Sequence, residues 1–485
     1  MTTSFVGRRV PAATLRVRRE PLRLPLLLLI PWWLLKLAVR LLLRVAGSPV
    51  AVIALTALTL TWAVCQLAHP LWAVAGFLLL AGVLVAIRFR WPTWFERWVR
   101  LPLRSRWRRW SIYRYKWPAT MDFAELNRYR SNGTQYEPVL LTVMSTRDLD
   151  RVRARMLAGQ VVEDWGKVSD RLCQTFGADD CRVRSVPGRP HEVEAWFLIN
   201  DPLQHVIEPH PQEVPVRLDA LPIGLSEDGQ TYRLPLLGSH VLTPGETGSG
   251  KSALIWSIIY QLAPAIADGT VQLWGIDPKA MELAAGEPLF ARMAYLDPTD
   301  YADTLEDAVV VMRARQVRLR GVTRLHQPSP TEPLIVILID ELAALSYVNE
   351  RDLRRRIENA LGLLLSQGRA VGITVIGAIQ DPRKETLPAR DLFPVRIALR
   401  LAEADQVRLI LGPGARDRGA RCDQIPHNLQ GVGFVQIDGL AEPVRVRFAW
   451  VTDDHIRMLA AGWQPPTPLP GIEDDGDEPD GMAAA

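Results

Sequence analysis

Cysteine is scarce. Cys65, Cys173, Cys181 and Cys422 are the only four in 485 residues, and no two stand as a C-x-x-C pair or beside histidines at ligand spacing. A disulfide scaffold and a zinc site are therefore excluded as organising features. Acidic residues are nearly missing from one end. Residues 1–117 hold 19 Lys and Arg against only Glu20 and Glu96, a charge of +17, whereas the remaining 368 residues total −13 and the whole chain +4. The basic end is thus a local device. Lysine is rare as well, 6 of the 57 basic residues, an arginine bias that a GC-rich genome explains without a phosphate-binding role. No internal repeat stands out. The length itself excludes a single small module.

Charge is absent from one long stretch. Pro49 to Ile87 contains no Asp, Glu, Lys or Arg over 39 residues, twice the ~20 residues that one membrane-spanning helix needs. His69-Pro70 breaks it into Pro49–Leu67 and Pro70–Ile87, which predicts a two-helix transmembrane hairpin over 49–87. Arg40 and Arg44 precede the run, and Arg88, Arg90, Arg97 and Arg100 follow it. The positive-inside rule then places both termini in the cytoplasm of a multi-pass protein of the inner (cell) membrane. Trp91, Trp94, Trp98, Trp107, Trp110 and Trp117, interleaved with Arg104, Arg106, Arg108 and Arg109, suit a headgroup-level belt on a lipid bilayer within a linker over 88–134. The earlier run Leu24–Leu35 is too short to span. With Lys36, Arg40 and Arg44 on one face beyond it, the basic segment 1–48 reads as carrying an in-plane amphipathic helix, and no small-residue cleavage site follows it.

Two further domains are expected. Residues 135–222 read as a small α+β module, with a strand over Val139–Ser145, helical periodicity over 147–175, and paired strands Cys181–Val186 and Val193–Ile199 around Pro187-Gly188-Arg189-Pro190. Pro202–Pro222 reads as a proline-punctuated connector. From 223 to 462, apolar strand-like runs alternate with helical stretches, the pattern of a parallel α/β sheet covered on both faces. The strands expected are Gly238–Leu242, Thr270–Ile276, Leu334–Ile339 and Thr374–Ala378, closing on the pair Gly431–Ile437 and Val444–Trp450. The Pro-rich, acidic stretch 463–485 is expected to be a disordered tail.

The chemistry lies in this last domain. Gly245-Glu246-Thr247-Gly248-Ser249-Gly250-Lys251-Ser252 fits G-x-x-x-x-G-K-[ST] at every fixed position, between a strand and a helix. Glycines let backbone N–H groups wrap a polyphosphate, Lys251 reaches its β/γ oxygens, and the Ser252 hydroxyl ligates Mg²⁺. The apolar run Leu334–Ile339 ends in Asp340-Glu341, which suits Asp340 for holding Mg²⁺ and Glu341 for polarising the attacking water, and argues for ATP hydrolysis rather than mere binding. Gln380 ends the next apolar strand, where its amide can touch the γ-phosphate. Asp277-Pro278-Lys279 resembles nothing catalytic by spacing alone.

Taken as a series, these residues resemble the FtsK/SpoIIIE family of DNA translocases. Gly245–Ser252 resembles that family's G-T-T-G-S-G-K-S, Ile276–Lys279 with Glu282-Leu283 its I-D-P-K segment, and Ile339–Glu341 its I-D-E. Gly368–Ile373 and Ala378–Gln380 are similar to its arginine-alanine-x-glycine-isoleucine strand and A-T-Q. The resemblance implies a RecA-like P-loop ATPase motor using ATP and Mg²⁺, assembled as a hexameric ring around double-stranded DNA. It also implies an arginine acting in trans: Arg396 aligns with the arginine of the family's P-x-R-I-A-F, and Arg400 is the runner-up. Cell-division members carry about four spans, a long linker and a C-terminal winged helix, whereas two spans, a short linker and a tail are expected here. That compact build looks more like the conjugative DNA-transfer proteins of actinomycete plasmids and integrative elements. Chromosome segregation and a type VII-like protein-secretion ATPase are the alternatives.

Overall fold

The computed structural model describes residues 70–129, 134–381, 389–440 and 442–466. The chain divides between Asp201 and Pro202 into two compact units. The expected interfacial helix, the first span Pro49–Leu67 and residues 467–485 of the expected tail lie outside the described residues, whereas Trp463, at the start of that tail, packs against the second unit's core.

In the first unit, helix α1 (Pro70–Arg90) covers the second expected span. Among the described residues no helix is long and apolar enough to cross a membrane; the side chains of residues 70–75, 77 and 80 fall outside that description. A second helical run, α2, follows over 92–123, with π turns at Glu96–Arg100 and Arg109–Tyr113. Its second half is not the linker that its Arg/Trp composition predicts. Tyr113, Trp117 and Met121 are buried in one apolar cluster with Trp165, Phe176 and Phe197. Trp117, expected at lipid headgroups, instead donates its indole N–H to the Pro138 carbonyl at 2.8 Å.

The sheet under this cluster orders β1 (Val139–Ser145), β2 (Leu149–Arg155), β4 (Glu192–Leu198) and β3 (Asp180–Ser185), all antiparallel. Strand β2 replaces the start of the helix expected over 147–175, whose helical part is confined to α3 (Val162–Lys167) and α4 (Ser169–Phe176). The reason is period two: Val152 and Ala154 point into the core while Arg151, Arg153 and Arg155 alternate on the other face. Asp150 is fully buried on this strand and is claimed from several sides. Arg108 forms an ion pair with it, Ser145 donates its hydroxyl, and Tyr113 donates its own at 2.8 Å. Arg104 adds a bond to the Ser145 hydroxyl at 3.1 Å. Burial, and then the adjacent carboxylate, push the Tyr113 phenol far above its ordinary pKa, so it stays a donor. Tyr113→Phe should destabilise this unit by about 1–2 kcal/mol, because the buried Asp150 loses a hydrogen-bond donor. A urea titration reads this as a lower midpoint at unchanged slope, and an unchanged midpoint would refute it.

In the second unit a ten-stranded sheet runs in the order β9 (Phe290–Ala294), β8 (Val271–Ile276), β10 (Leu334–Ile339), β11 (Ile373–Ile379), β7 (Val241–Pro244), β12 (Val395–Ala398), β13 (Val432–Ile437), β14 (Val444–Phe448), β5 (Leu221–Ser226) and β6 (Thr231–Leu234). The six strands from β9 to β12 are parallel. The other four continue the sheet antiparallel. All six residues of β10 are buried, as an unbroken apolar run requires when helices cover both faces. Helices α5 (Lys251–Ala267) and α8 (Asp453–Gly462) pack on one face, while α6 (Pro298–Leu319) and α7 (Arg351–Gln367) pack on the other. The expected terminal pair exists as β13 and β14, built into the main sheet.

Pro202–Pro222 is not a free connector. Leu203 is buried in the second unit's core, and its carbonyl accepts a hydrogen bond from Arg447 at 2.8 Å. At the other end of the segment, Leu221 and Pro222 already belong to β5 and pair with Leu234 and Arg233 of β6.

Candidate active site

Parallel strands deliver their C-terminal ends to one edge of the sheet, and five functional segments meet there. The phosphate loop leaves β7 between two neighbours that fix its start: Gly245 N–H donates to Ile379 O at 3.0 Å, and Glu246 N–H to Arg400 O at 3.0 Å. Gly250 then turns the chain into α5 with φ +99°. A Cβ there would lie 2.2 Å from the Gly431 nitrogen, so only glycine fits this approach. The opposing loop is bonded in turn, Gly431 N–H to Ser249 O at 2.9 Å. The N–H groups of Lys251, Ser252 and Ala253 precede the first intrahelical bond of α5, from Leu254 N–H to Gly250 O at 3.4 Å.

Lys251 folds back on this loop, donating to Gly245 O at 2.7 Å and Glu246 O at 3.1 Å. Burial lowers its pKa, opposed by the nearby Glu341 and Asp340 carboxylates. A polyphosphate offers this ammonium better acceptors than two neutral carbonyls do.

Asp340 follows β10, with its N–H on Ile276 O at 3.1 Å. Burial raises its carboxyl pKa to about 6, reinforced by Glu282, Asp277 and Glu341 and opposed by Lys279. A partly buried carboxylate crowded by three others is a position short of positive charge. The oxygen donors of Asp340 and Ser252 fit Mg²⁺, which prefers few protein ligands and retains water. Among the described residues no cluster of three or more His, Cys, Asp and Glu could hold a metal ion.

Glu341 is 7 % exposed. One carboxylate oxygen accepts the Gln380 backbone N–H at 3.3 Å, and the other lies 3.9 Å from the Lys279 ammonium. The Thr247 hydroxyl donates to the Gln380 side-chain oxygen at 3.3 Å, linking the phosphate loop to the tip of β11. The carboxylate suited to act as general base is therefore fixed in place by main chain, with a cation on its far side.

Lys251, Asp340, Glu341 and Gln380 thus converge with Gly245–Ser252, as their order along the chain suggests. Spacing alone missed Lys279 and the loop that presents it. Asp277 is fully buried, and its two oxygens accept the N–H groups of Lys279 at 3.2 Å and Leu283 at 2.9 Å. That cap folds Asp277-Pro278-Lys279 back over the strand end, with Ala280 at φ +52°. Arg396 does not join the site of its own chain. It pairs in register with Leu242 at the opposite end of β12 and forms an ion pair with Asp438. Arg400, the runner-up, lies on the loop itself, bonded to Glu246 and to the Thr247 carbonyl.

Residues 212–326 match the model of the FtsK/SpoIIIE family, so this part of the chain is a domain of that family. The chain is 29 % identical over 328 residues to the DNA translocase FtsK of Bacillus cereus, covering 60 % of this chain and 38 % of that relative. It is 27 % identical over 320 residues to the DNA translocase SpoIIIE of Bacillus subtilis, covering 60 % and 39 %. It spans well under half the length of these curated relatives. Among solved structures, the conjugation coupling protein TcpA, a monomer form with ATPγS, superposes with a TM-score of 0.48 at 17 % identity, covering 72 % of this chain and 98 % of TcpA.

Proposed function

From a chain that carries an FtsK/SpoIIIE-family domain, we propose an ATP hydrolase that drives double-stranded DNA through a ring of its own copies, tethered to a membrane. The observation that carries the hydrolytic part is Glu341, buried, held by the Gln380 N–H and set beside Lys251 and Asp340 at one sheet edge. Backbone N–H groups and Lys251 bind the triphosphate, Ser252 and Asp340 hold Mg²⁺, and Glu341 takes the proton of the attacking water. When bound, Mg²⁺ neutralises charge on the phosphate oxygens. Gln380, tied to Thr247, reports whether the terminal phosphate is present. Arg396 in trans belongs to this reading: a neighbouring copy would present it after its ion pair with Asp438 opens.

The membrane tether rests on hydropathy. Pro70–Ile87 has no charge over 18 residues, about 27 Å at roughly 1.5 Å per residue, and Leu78 and Leu79 of α1 are exposed. With Pro49–Leu67 the pair supports two spans with cytoplasmic termini and a lipid-facing belt at Trp91, Trp94 and Trp98, all exposed. The DNA cargo rests on kinship with proteins named DNA translocases, and conjugative transfer is the route we put forward for it, ahead of chromosome segregation. A hexameric ring is the assembly such a motor implies. A type VII-like protein-secretion role is the competing reading.

Adding linear duplex DNA to the purified chain with Mg²⁺ and ATP should raise its ATPase rate several-fold. A rate indifferent to duplex but raised by a secreted signal peptide would replace the DNA reading with the secretion one.

A further inference from the structure

Glu246 places a negative charge inside the loop that must accept a polyanion, at a position where the FtsK/SpoIIIE motif G-T-T-G-S-G-K-S has threonine. Its carboxylate accepts from Arg400 Nε at 3.1 Å, and Arg400 Nη2 donates to the Thr247 carbonyl at 3.3 Å. The backbones are tied at the same point, since Glu246 N–H bonds Arg400 O. The Arg400 side chain is 9 % exposed, and its Nη1 is buried with no hydrogen-bond partner among the described residues. A guanidinium buried this deeply requires a counter-charge, and Glu246 is the carboxylate it pairs with.

We propose that Arg400 is a positioning residue for its own subunit's phosphate loop, cancelling the charge of Glu246 and holding the loop in shape for the nucleotide. This rests on the ATPase reading above and refines it. It also argues against Arg400 as an arginine offered to a neighbouring subunit, because the guanidinium is buried and paired with Glu246 in cis. Without it, Glu246 would repel the β- and γ-phosphates of a nucleotide in the loop. The two residues form a compensated pair: removing either changes the meaning of the other, which is the situation that double-mutant cycles resolve.

The test is binding of a fluorescent ATP analogue, with Mg²⁺, to the purified full chain. Arg400→Gln should weaken binding about tenfold, the scale of leaving the partly exposed Glu246 carboxylate uncompensated beside a polyanion. Arg400→Lys should recover part of that loss. The double variant Glu246→Thr/Arg400→Gln should bind within about threefold of the wild type, since the charge that needed cancelling is gone. A merely structural arginine would leave the double variant as weak as Arg400→Gln, and that result overturns the proposal. The double variant also keeps the test decisive if Arg400→Gln alone fails to fold. Mixing Arg400→Gln with Lys251→Ala subunits separates cis from trans: no regain of ATPase is expected, and a regain would overturn the cis assignment. A wild type that binds no nucleotide at all would overturn the ATPase reading together with this one, whereas equal binding by wild type and Arg400→Gln overturns only this one.

Discussion

Lys251→Ala is expected to abolish ATP turnover, a fall of at least about 10³-fold, by weakening capture of the nucleotide, whereas Glu341→Gln should lose a similar factor in kcat and still bind ATP. The two side chains face the same space but contribute at different moments. Lys251 is an ammonium spending its donors on the Gly245 and Glu246 carbonyls, waiting for better acceptors. Its loss removes charge from both the bound ground state and the transition state, so KM rises as kcat falls. Glu341 is bonded through one carboxylate oxygen to the Gln380 N–H, and its other oxygen lies beside Lys279. Glutamine preserves the shape and one acceptor but cannot take a proton from water. Single-turnover kinetics with labelled ATP separates the cases. Should Glu341→Gln raise KM with kcat unchanged, Glu341 would be a binding residue and the hydrolytic assignment would fall.

How much of this was legible in the sequence follows from the range of the interactions. The phosphate loop and the run Leu334–Ile339 before Asp340 are local patterns, readable because a buried parallel strand must be apolar throughout and the loop needs its glycines. Strand β10 accordingly has the bounds expected of it. Strand β2 was hidden because Leu149–Arg155 contains three arginines, and their alternation with Val152 and Ala154 outweighs their charge only once a core on one side is known. Helix α2 was hidden for a related reason: an Arg/Trp-rich stretch suits a lipid surface, and only the buried Asp150 shows where Arg108 and Tyr113 are directed. Strands β9 and β12 are five and four residues long, too short for periodicity to register. The Glu246–Arg400 pair spans 154 positions and no local rule reaches it. Spacing gave Lys279 no role, although its segment carries part of the family resemblance, since what aims it at Glu341 is the pair of bonds from its own loop to Asp277.

Asp340→Asn should make the nucleotide-free second unit more stable at about pH 7.5, by on the order of 2–3 kcal/mol, while abolishing Mg²⁺-dependent turnover. The folded carboxyl titrates at about 6, against 3.8 for the ordinary group. The folded state therefore holds this proton more tightly than the unfolded chain, and stability falls as pH rises between roughly 4 and 6, then stays level above the folded value. At about pH 7.5 the whole cost of the buried charge is present, about 1.4 kcal/mol for every tenfold by which the fold tightens its hold on the proton. Asparagine removes the charge at nearly constant volume and so recovers that cost. At about pH 4.5 the wild-type carboxyl is mostly protonated in the fold but still largely ionised in the unfolded chain, so the advantage of asparagine should fall to about a third, and it should nearly vanish only at about pH 3. Thermal unfolding at these pH values checks both the sign and the window. Saturating Mg²⁺ and ATP should reverse the order, stabilising the wild type through binding that asparagine, without its charge, supports poorly. If Asp340→Asn is less stable than the wild type at the higher pH without nucleotide, the crowding by Glu282, Asp277 and Glu341 does not strain this position. The case for a cation there would then lose its electrostatic basis.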